Sequence, residues 1–248
     1  MAHNTDAPLR LLPDPPEEKP ECIHNGFGIT EFAVTLDAVC IPLDPYRNKE
    51  RRTTVDVGHG LVEARVYPYQ FRERVELRGN AATILGTRGL AQVPVDRLPE
   101  LIRQSIDRLG ADFVIPPDSV SRARVTELTI TRSLAGVTSP DWWIRSLVWV
   151  PVARCSERTV HYSASGKAQS YTLSAQTGGT LQVDPNHATY PHRAPRGYVH
   201  WQVHAMRRWL DESGIHTLTD VTQESINRLA TRRWAWMSGS DTPPWAAP

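Results

Sequence analysis

Apolar and polar residues alternate with a period of two in GITEFAVTLDAVCIPL (28–43) and GLVEARVYPYQFRERVEL (60–77), where β-branched and aromatic residues are also frequent. That period predicts strands. In the second segment Val62, Ala64 and Val66 share one face, and Glu63 and Arg65 share the other. The period changes in VDRLPELIRQSIDRLG (95–110), where Leu98, Leu101, Ile102, Ile106 and Leu109 fall on one helical stripe. Asp96 is placed to cap that helix and Gly110 to close it. RVTELTITRS (124–133) returns to strand character. SPDWWIRSLVWVP (139–151) reads as a short helix with Ser139 as N-cap, Pro140 at its first position and Pro151 as its stop.

Three short strands with Gly-containing turns follow over 158–184. GYVHWQV (197–203) reads as a strand leading into a helix over 204–214, and a last helix is expected over 221–236 with Thr222 as its cap. Strands mixed with a few helices and hairpins predict an α+β fold: a mostly antiparallel central sheet with helices packed on one face. The Pro-rich acidic stretch LLPDPPEEKPE cannot bury a face, so residues 1–26 are expected to be a disordered arm. Residues 27–236 are expected to form a single domain and 237–248 a flexible tail. The arm and the Trp-bearing tail are candidate contacts for a protein partner.

Composition changes this picture little. A chain of 248 residues can bury a sizeable core, and 40% hydrophobic with 22% charged residues is ordinary for a globular protein. No apolar run is long enough to span a bilayer and the first residues lack a signal-peptide core, so a cytoplasmic location without membrane contact is expected. Cys22, Cys40 and Cys155 are odd in number and widely spaced, which suits a reducing compartment. The net charge of +1 excludes a polycation that coats nucleic acid. Lys19, Lys49 and Lys167 are the only lysines among 28 basic residues. The remaining arginines suit bidentate phosphate contacts, although a bias toward Arg codons gives the same composition.

Three segments resemble the rolling-circle replication initiators of phages and plasmids. VELRGNAATILGTRGLAQVPVDRLPELIRQSIDRLG (75–110) is similar to the strand, Gly-Asn turn and helix that precede the family's active strand. SRARVTELTITRSLAGV (121–137) is similar to the strand that supplies acids to the site. The run from Gly166 to Leu210, followed by TRRWAW, completes the order. The resemblance implies a protein that binds a duplex origin and uses a Tyr hydroxyl to attack a phosphodiester. A divalent metal held by carboxylates or His would assist. On this resemblance Tyr171, in QSYTLSA, takes the place of the nucleophile.

The acids implied by the resemblance are largely missing. Thr129 and Ser133 stand where Asp is expected, and Gln202 where Glu is expected. Asp184, Pro185, Asn186 and Thr189 replace a run of Tyr, Asp, Lys and Glu. Hydroxyls are poor ligands for a hard divalent cation. The expectation is a DNA-binding initiator-like protein whose nicking is weakened or lost. Two alternatives stay open: an active metal-dependent Tyr endonuclease with a shifted site, and a non-catalytic interaction module on the same scaffold. For a shifted site, an extended 198–204 puts His200, Gln202 and His204 on one face, with His59 able to join them around a transition metal. Solvent-facing or phosphate-facing histidines explain the same pattern. For DNA contact the candidates are Arg122 and Arg124 beside the central strand, Arg207 and Arg208 opening a helix, and Arg232 and Arg233 beside Trp234 and Trp236.

Overall fold

The computed structural model describes residues 26–40, 51–56, 61–67, 73–81, 92–107, 113–134, 139–176, 178–184 and 199–246. Among them ten strands form one sheet: β1 (Gly28–Cys40), β2 (Arg51–Asp56), β3 (Leu61–Tyr67), β4 (Glu73–Asn80), β5 (Phe113–Val114), β6 (Arg124–Leu134), β7 (Glu157–Tyr162), β8 (Ala168–Ser174), β9 (Gly179–Asp184) and β10 (Val199–Met206). Four α-helices accompany it: α1 (Leu98–Asp107), α2 (Pro140–Ser146), α3 (Arg207–Glu212) and α4 (Gln223–Ser238). The strand order is β2-β3-β4-β1-β6-β10-β9-β8-β7, with β5 beside the end of β1, and every pairing is antiparallel. The fold is therefore α+β on a mostly antiparallel sheet. The central pair β1–β6 is flanked on each side by the last strand of a meander, β4 on one side and β10 on the other.

Alternation assigns the two faces. Val75 and Leu77, Phe32 and Val34, Leu128 and Ile130, Trp201 and Val203, Leu181 and Val183, and Tyr171 and Leu173 are all buried in one core. The opposite positions carry Arg74, Glu76 and Arg78 on β4, Thr35 and Asp37 on β1, and His204 on β10. Two β-bulges keep this division clean. Between the pairs Ile29/Ile130 and Glu31/Thr129, Thr30 is an extra residue on β1. Its hydroxyl donates to the Thr129 carbonyl at 3.1 Å. Without that insertion Glu31 would share the face of Ile29; with it, Glu31 lies beside Thr129 on the polar side. Thr126 does the same on β6, and its hydroxyl donates to the Ala33 carbonyl at 3.1 Å.

The helices close the apolar face around Trp201. Its indole meets Trp143 of α2 at 5.5 Å, Trp234 of α4 at 5.5 Å and Trp245 near the C-terminus at 4.9 Å, each edge-to-face. Trp245 in turn meets Phe27, just before β1, at 5.4 Å. Such ring pairs add to the stabilisation from burial alone. The buried faces of α1 (Leu98, Leu101, Ile102) and α3 (Trp209, Leu210) join the same core. The turn between β8 and β9 needs glycine, because Gly178 and Gly179 have φ of 112° and 144° and a Cβ at either would strike the Trp209 side chain or the His204 carbonyl.

Several sequence expectations are corrected by this arrangement. The helix from 95 begins as a 3₁₀ turn over Val95–Arg97 whose N-cap is Pro94, so Asp96 sits in the first turn and caps nothing. Ser139 holds the N-cap of α2 through its carbonyl, which accepts from the Trp143 N–H, with no side-chain hydrogen bond. β10 runs to Met206, three residues beyond the expected 203, because the alternation Val203, His204, Ala205 continues the pairing with β6 and β9. Thr222 does cap α4, in a capping box with Ser225, and Gly239 closes that helix at φ 73°. The tail expected over 237–248 is largely part of the fold: α4 continues to Ser238, and Trp245 is 3% exposed. The Pro-rich arm, Gly110 and His59 lie outside the described residues. No described helix is long and apolar enough to cross a membrane.

Replacing Trp245 tests whether the C-terminal segment belongs to the core. Trp245→Ala is expected to lower unfolding free energy by about 3 kcal/mol, read from the urea midpoint. An unchanged midpoint would restore the segment to a tail.

Candidate functional site

Two clefts formed by described residues open on the polar face. The smaller, about 270 Å³, is lined by Glu31, Arg78, Asn80, Glu127, Thr129 and His204 with neighbouring backbone. Arg78 is fully engaged there: it forms a two-pronged pair with Glu127 at 2.8 and 2.9 Å, and its Nε donates to Glu76 at 2.6 Å. Asn80 donates to Glu31 at 3.2 Å. The Thr129 hydroxyl donates to the other Glu31 oxygen at 3.2 Å and lies 3.0 Å from His204 Nδ1. A hydroxyl has one proton. If that proton is given to Glu31, the His204 contact requires Nδ1 to be the donor. A neutral His204 then keeps its lone pair on Nε2. No Tyr, Ser or Cys is among the described residues that line this cleft.

Ser133 and His200 form a parallel contact higher on the same strands. The Ser133 hydroxyl lies 2.8 Å from His200 Nδ1 and also accepts a hydrogen bond from Gln92. Thr131 is paired with Gln202, and Gln202 with Gln182. The positions at which the family resemblance implies acids, Thr129, Ser133 and Gln202, therefore share one face with the two histidines. What they contribute is hydroxyls and an amide.

Tyr171 stands apart from this face. It pairs with Val160 and Val183, its side chain is 0% exposed, and its hydroxyl has no hydrogen-bond partner among the described residues. Burial pushes its pKa up, with the nearby Arg158 guanidinium pulling the other way. A nucleophile needs the reverse: access and help in losing its proton. In this position the ring is shut into the core and is not presented to a phosphodiester. The signal was present in the sequence, since Tyr171 has the parity of Leu173.

The divalent metal implied by the resemblance also fails to fit. His200 and His204 are four residues apart on one strand, a separation of about 13 Å, so they cannot ligate one ion together. Each has its Nδ1 on a hydroxyl. Asp184 is the register partner of His200, but no group of three or more His, Cys, Asp or Glu among the described residues is placed to hold a metal.

The arginines divide into structural and available groups. Arg233 is structural: its side chain is 3% exposed, its guanidinium pairs with Glu212 at 2.8 Å and donates to the Trp209 carbonyl at 3.3 Å, and it lies 4.9 Å over the Trp209 ring. Burial works against its charge, and Glu212 sustains it. Arg232 donates to the Glu212 carbonyl at 2.6 Å, at the end of α3. Arg207 and Arg208 pair one turn on with Asp211 and Glu212 at 3.1 and 3.0 Å. Trp209 and Trp234 are core residues, so the expected Arg–Trp surface on α4 is absent at Arg233 and Trp234.

Arg122 and Arg124 open instead onto the larger cleft, about 470 Å³, together with Arg74, His216, Ser119, Thr217, Asp37 and Asp118. The chain brings these residues together by backbone pairing: Arg124 bridges Thr217, and the Val125 N–H donates to the His216 carbonyl at 3.1 Å. Asp118 pairs with Arg122 at 2.7 Å, with both side chains mostly exposed, and Asp37 lies 3.8 Å from Arg74. Exposed pairs of this kind exchange readily for another anion. Arg74 and His216 were not foreseen from the sequence, because their approach to Arg124 depends on the β4–β1–β6 register and on the loop after α3.

No family model matches this chain, and no curated protein matches it. Among solved structures it is similar to the rolling circle replication initiator protein from Geobacillus stearothermophilus, at 10% identity and a TM-score of 0.42, over 79% of each chain.

Proposed function

We propose that this chain is a DNA-binding protein that keeps the sheet of a rolling-circle replication initiator without its nicking chemistry. The observation that carries the reading is the cleft lined by Arg74, Arg122 and Arg124 at one end of the polar face. Three guanidiniums at a concave site, with the Arg122–Asp118 pair exposed to solvent, suit successive phosphates of a nucleic-acid backbone. The order of the sequence segments supports the kinship. Tyr171 in the core, and hydroxyls in place of acids at Thr129 and Ser133, support the loss of cleavage. A non-catalytic protein-interaction module is the reading that remains if DNA is not bound.

Binding of a labelled duplex, followed by fluorescence anisotropy, should weaken steeply as salt rises. Three phosphate contacts correspond to a log–log slope of about −3. Arg122→Ala with Arg124→Ala should bring that slope toward about −1. A salt-independent affinity, or none, would remove the DNA reading.

Cleavage is tested separately. Incubation with supercoiled plasmid and Mg²⁺ or Mn²⁺ should yield no detergent-resistant protein–DNA adduct. Tyr171→Phe should bind DNA like the parent, because the ring lies in the core and does not line the arginine cleft. An adduct that disappears in Tyr171→Phe would overturn the loss of nicking.

A further inference from the structure

The helix-covered side of the sheet carries a second surface that the proposed function does not use. Trp149 is 87% exposed, Trp142 68% and Tyr162 53%. Indoles this open are uncommon, since Trp is on average a largely buried residue. In the segment formed by α2 and the 3₁₀ turn Leu147–Trp149, the residues classed as exposed through Trp149 are Trp142, Arg145 and Trp149. Their spacing of three and then four residues places them in one stripe, opposite the buried Ile144 and Leu147. The two indoles are thus about 10 Å apart along the helix axis with a guanidinium between them.

The stripe is held rigidly. Asp141 accepts from Arg145 at 3.1 Å and also from the Ala168 N–H at the start of β8. Those contacts hold its pKa below the usual carboxylate value, the Ala168 N–H first and Arg145 next. Arg145 further donates to the Gly166 carbonyl in the β7–β8 turn and lies 5.7 Å over the Tyr162 ring. Arg158 of β7 donates to the Val148 carbonyl at 3.2 Å. α2 is therefore fastened to the edge hairpin, which fixes the backbone that carries the two indoles. The charges of this region are Arg145, Arg154, Arg158 and Lys167 against Asp141 and Glu157.

We infer that Trp142, Trp149 and Tyr162, with Arg145, Arg158 and Lys167, form a stacking platform for single-stranded nucleic acid. Open aromatic faces accept any base, and the interleaved cations meet the phosphates between stacked bases. The excess of positive charge distinguishes this occupant from an apolar protein surface. The platform lies at the β7 edge on the helix side, away from the arginine cleft on the polar face, so the two sites can be separated by mutation.

The test is titration of the full-length chain with oligo(dT) while Trp emission is followed, alongside the duplex titration described above. Oligo(dT) is expected to quench the emission. Trp142→Ala with Trp149→Ala should weaken oligo(dT) binding by about 30-fold. The same double variant should leave the circular dichroism spectrum, the urea midpoint and the duplex affinity unchanged. Arg122→Ala with Arg124→Ala should leave oligo(dT) affinity within about twofold, so failure of the cleft and failure of the platform give different results. Oligo(dT) affinity that survives loss of both indoles overturns the proposal. So does a concentration-dependent dimer in sedimentation that the Trp142/Trp149 double variant abolishes, because the surface would then be an interface between copies.

Discussion

Edge-to-face packing of other tryptophans against Trp201 is the contact on which the architecture turns. One indole on β10 receives rings from α2, α4 and the C-terminal turn, and through Trp245 it also reaches Phe27, just before β1. Two of the helices and the C-terminal turn are thereby gathered around a single strand near the sheet's middle. The opposite face is left to side chains that need water or one another: the pairs around Arg78, the Glu31–Thr129–His204 chain and the arginine cleft.

The division of faces was largely legible in the sequence, because strand alternation is local. The segment Leu61–Tyr67, with its alternating residues, read correctly as a strand, β3. So did the helices expected over 95–110 and 221–236, found at Leu98–Asp107 and Gln223–Ser238, and the strand expected over 124–133, found at Arg124–Leu134. β2 was missed: RRTTVD has no apolar face of its own and is a strand through its pairing with β3. The extent of β10 was underestimated because Met206 and the arginines after it look helical in isolation. The C-terminal turn was misjudged for a different reason. A single Trp in a Pro-rich segment gives no periodic signal, and only tertiary packing shows that its ring is buried.

The candidate sites were less legible than the fold. Arg122 and Arg124 were identified, but their companions Arg74 and His216 come from distant segments joined by register. Glu31 was hidden by the bulge at Thr30, which breaks the simple two-residue rule. Arg233 looked like a surface cation because it follows Arg232, yet the helix turns it inward onto Trp209 and Glu212. Tyr171 shows the opposite case: its parity with Leu173 already places it on the core side.

The central β1–β6 pairing has a kinetic consequence. Thr30 and Thr129 touch across 99 positions of chain, and their neighbours pair over similar separations. Closing so large a loop costs entropy before any of the sheet's middle contacts exist. The β2–β3–β4 and β7–β8–β9 meanders are local and can form early, each presenting an unpaired edge until the central strands dock. Assembly of this chain is therefore governed by the meeting of two partly built halves, and its sensitivity to aggregation is concentrated in that interval.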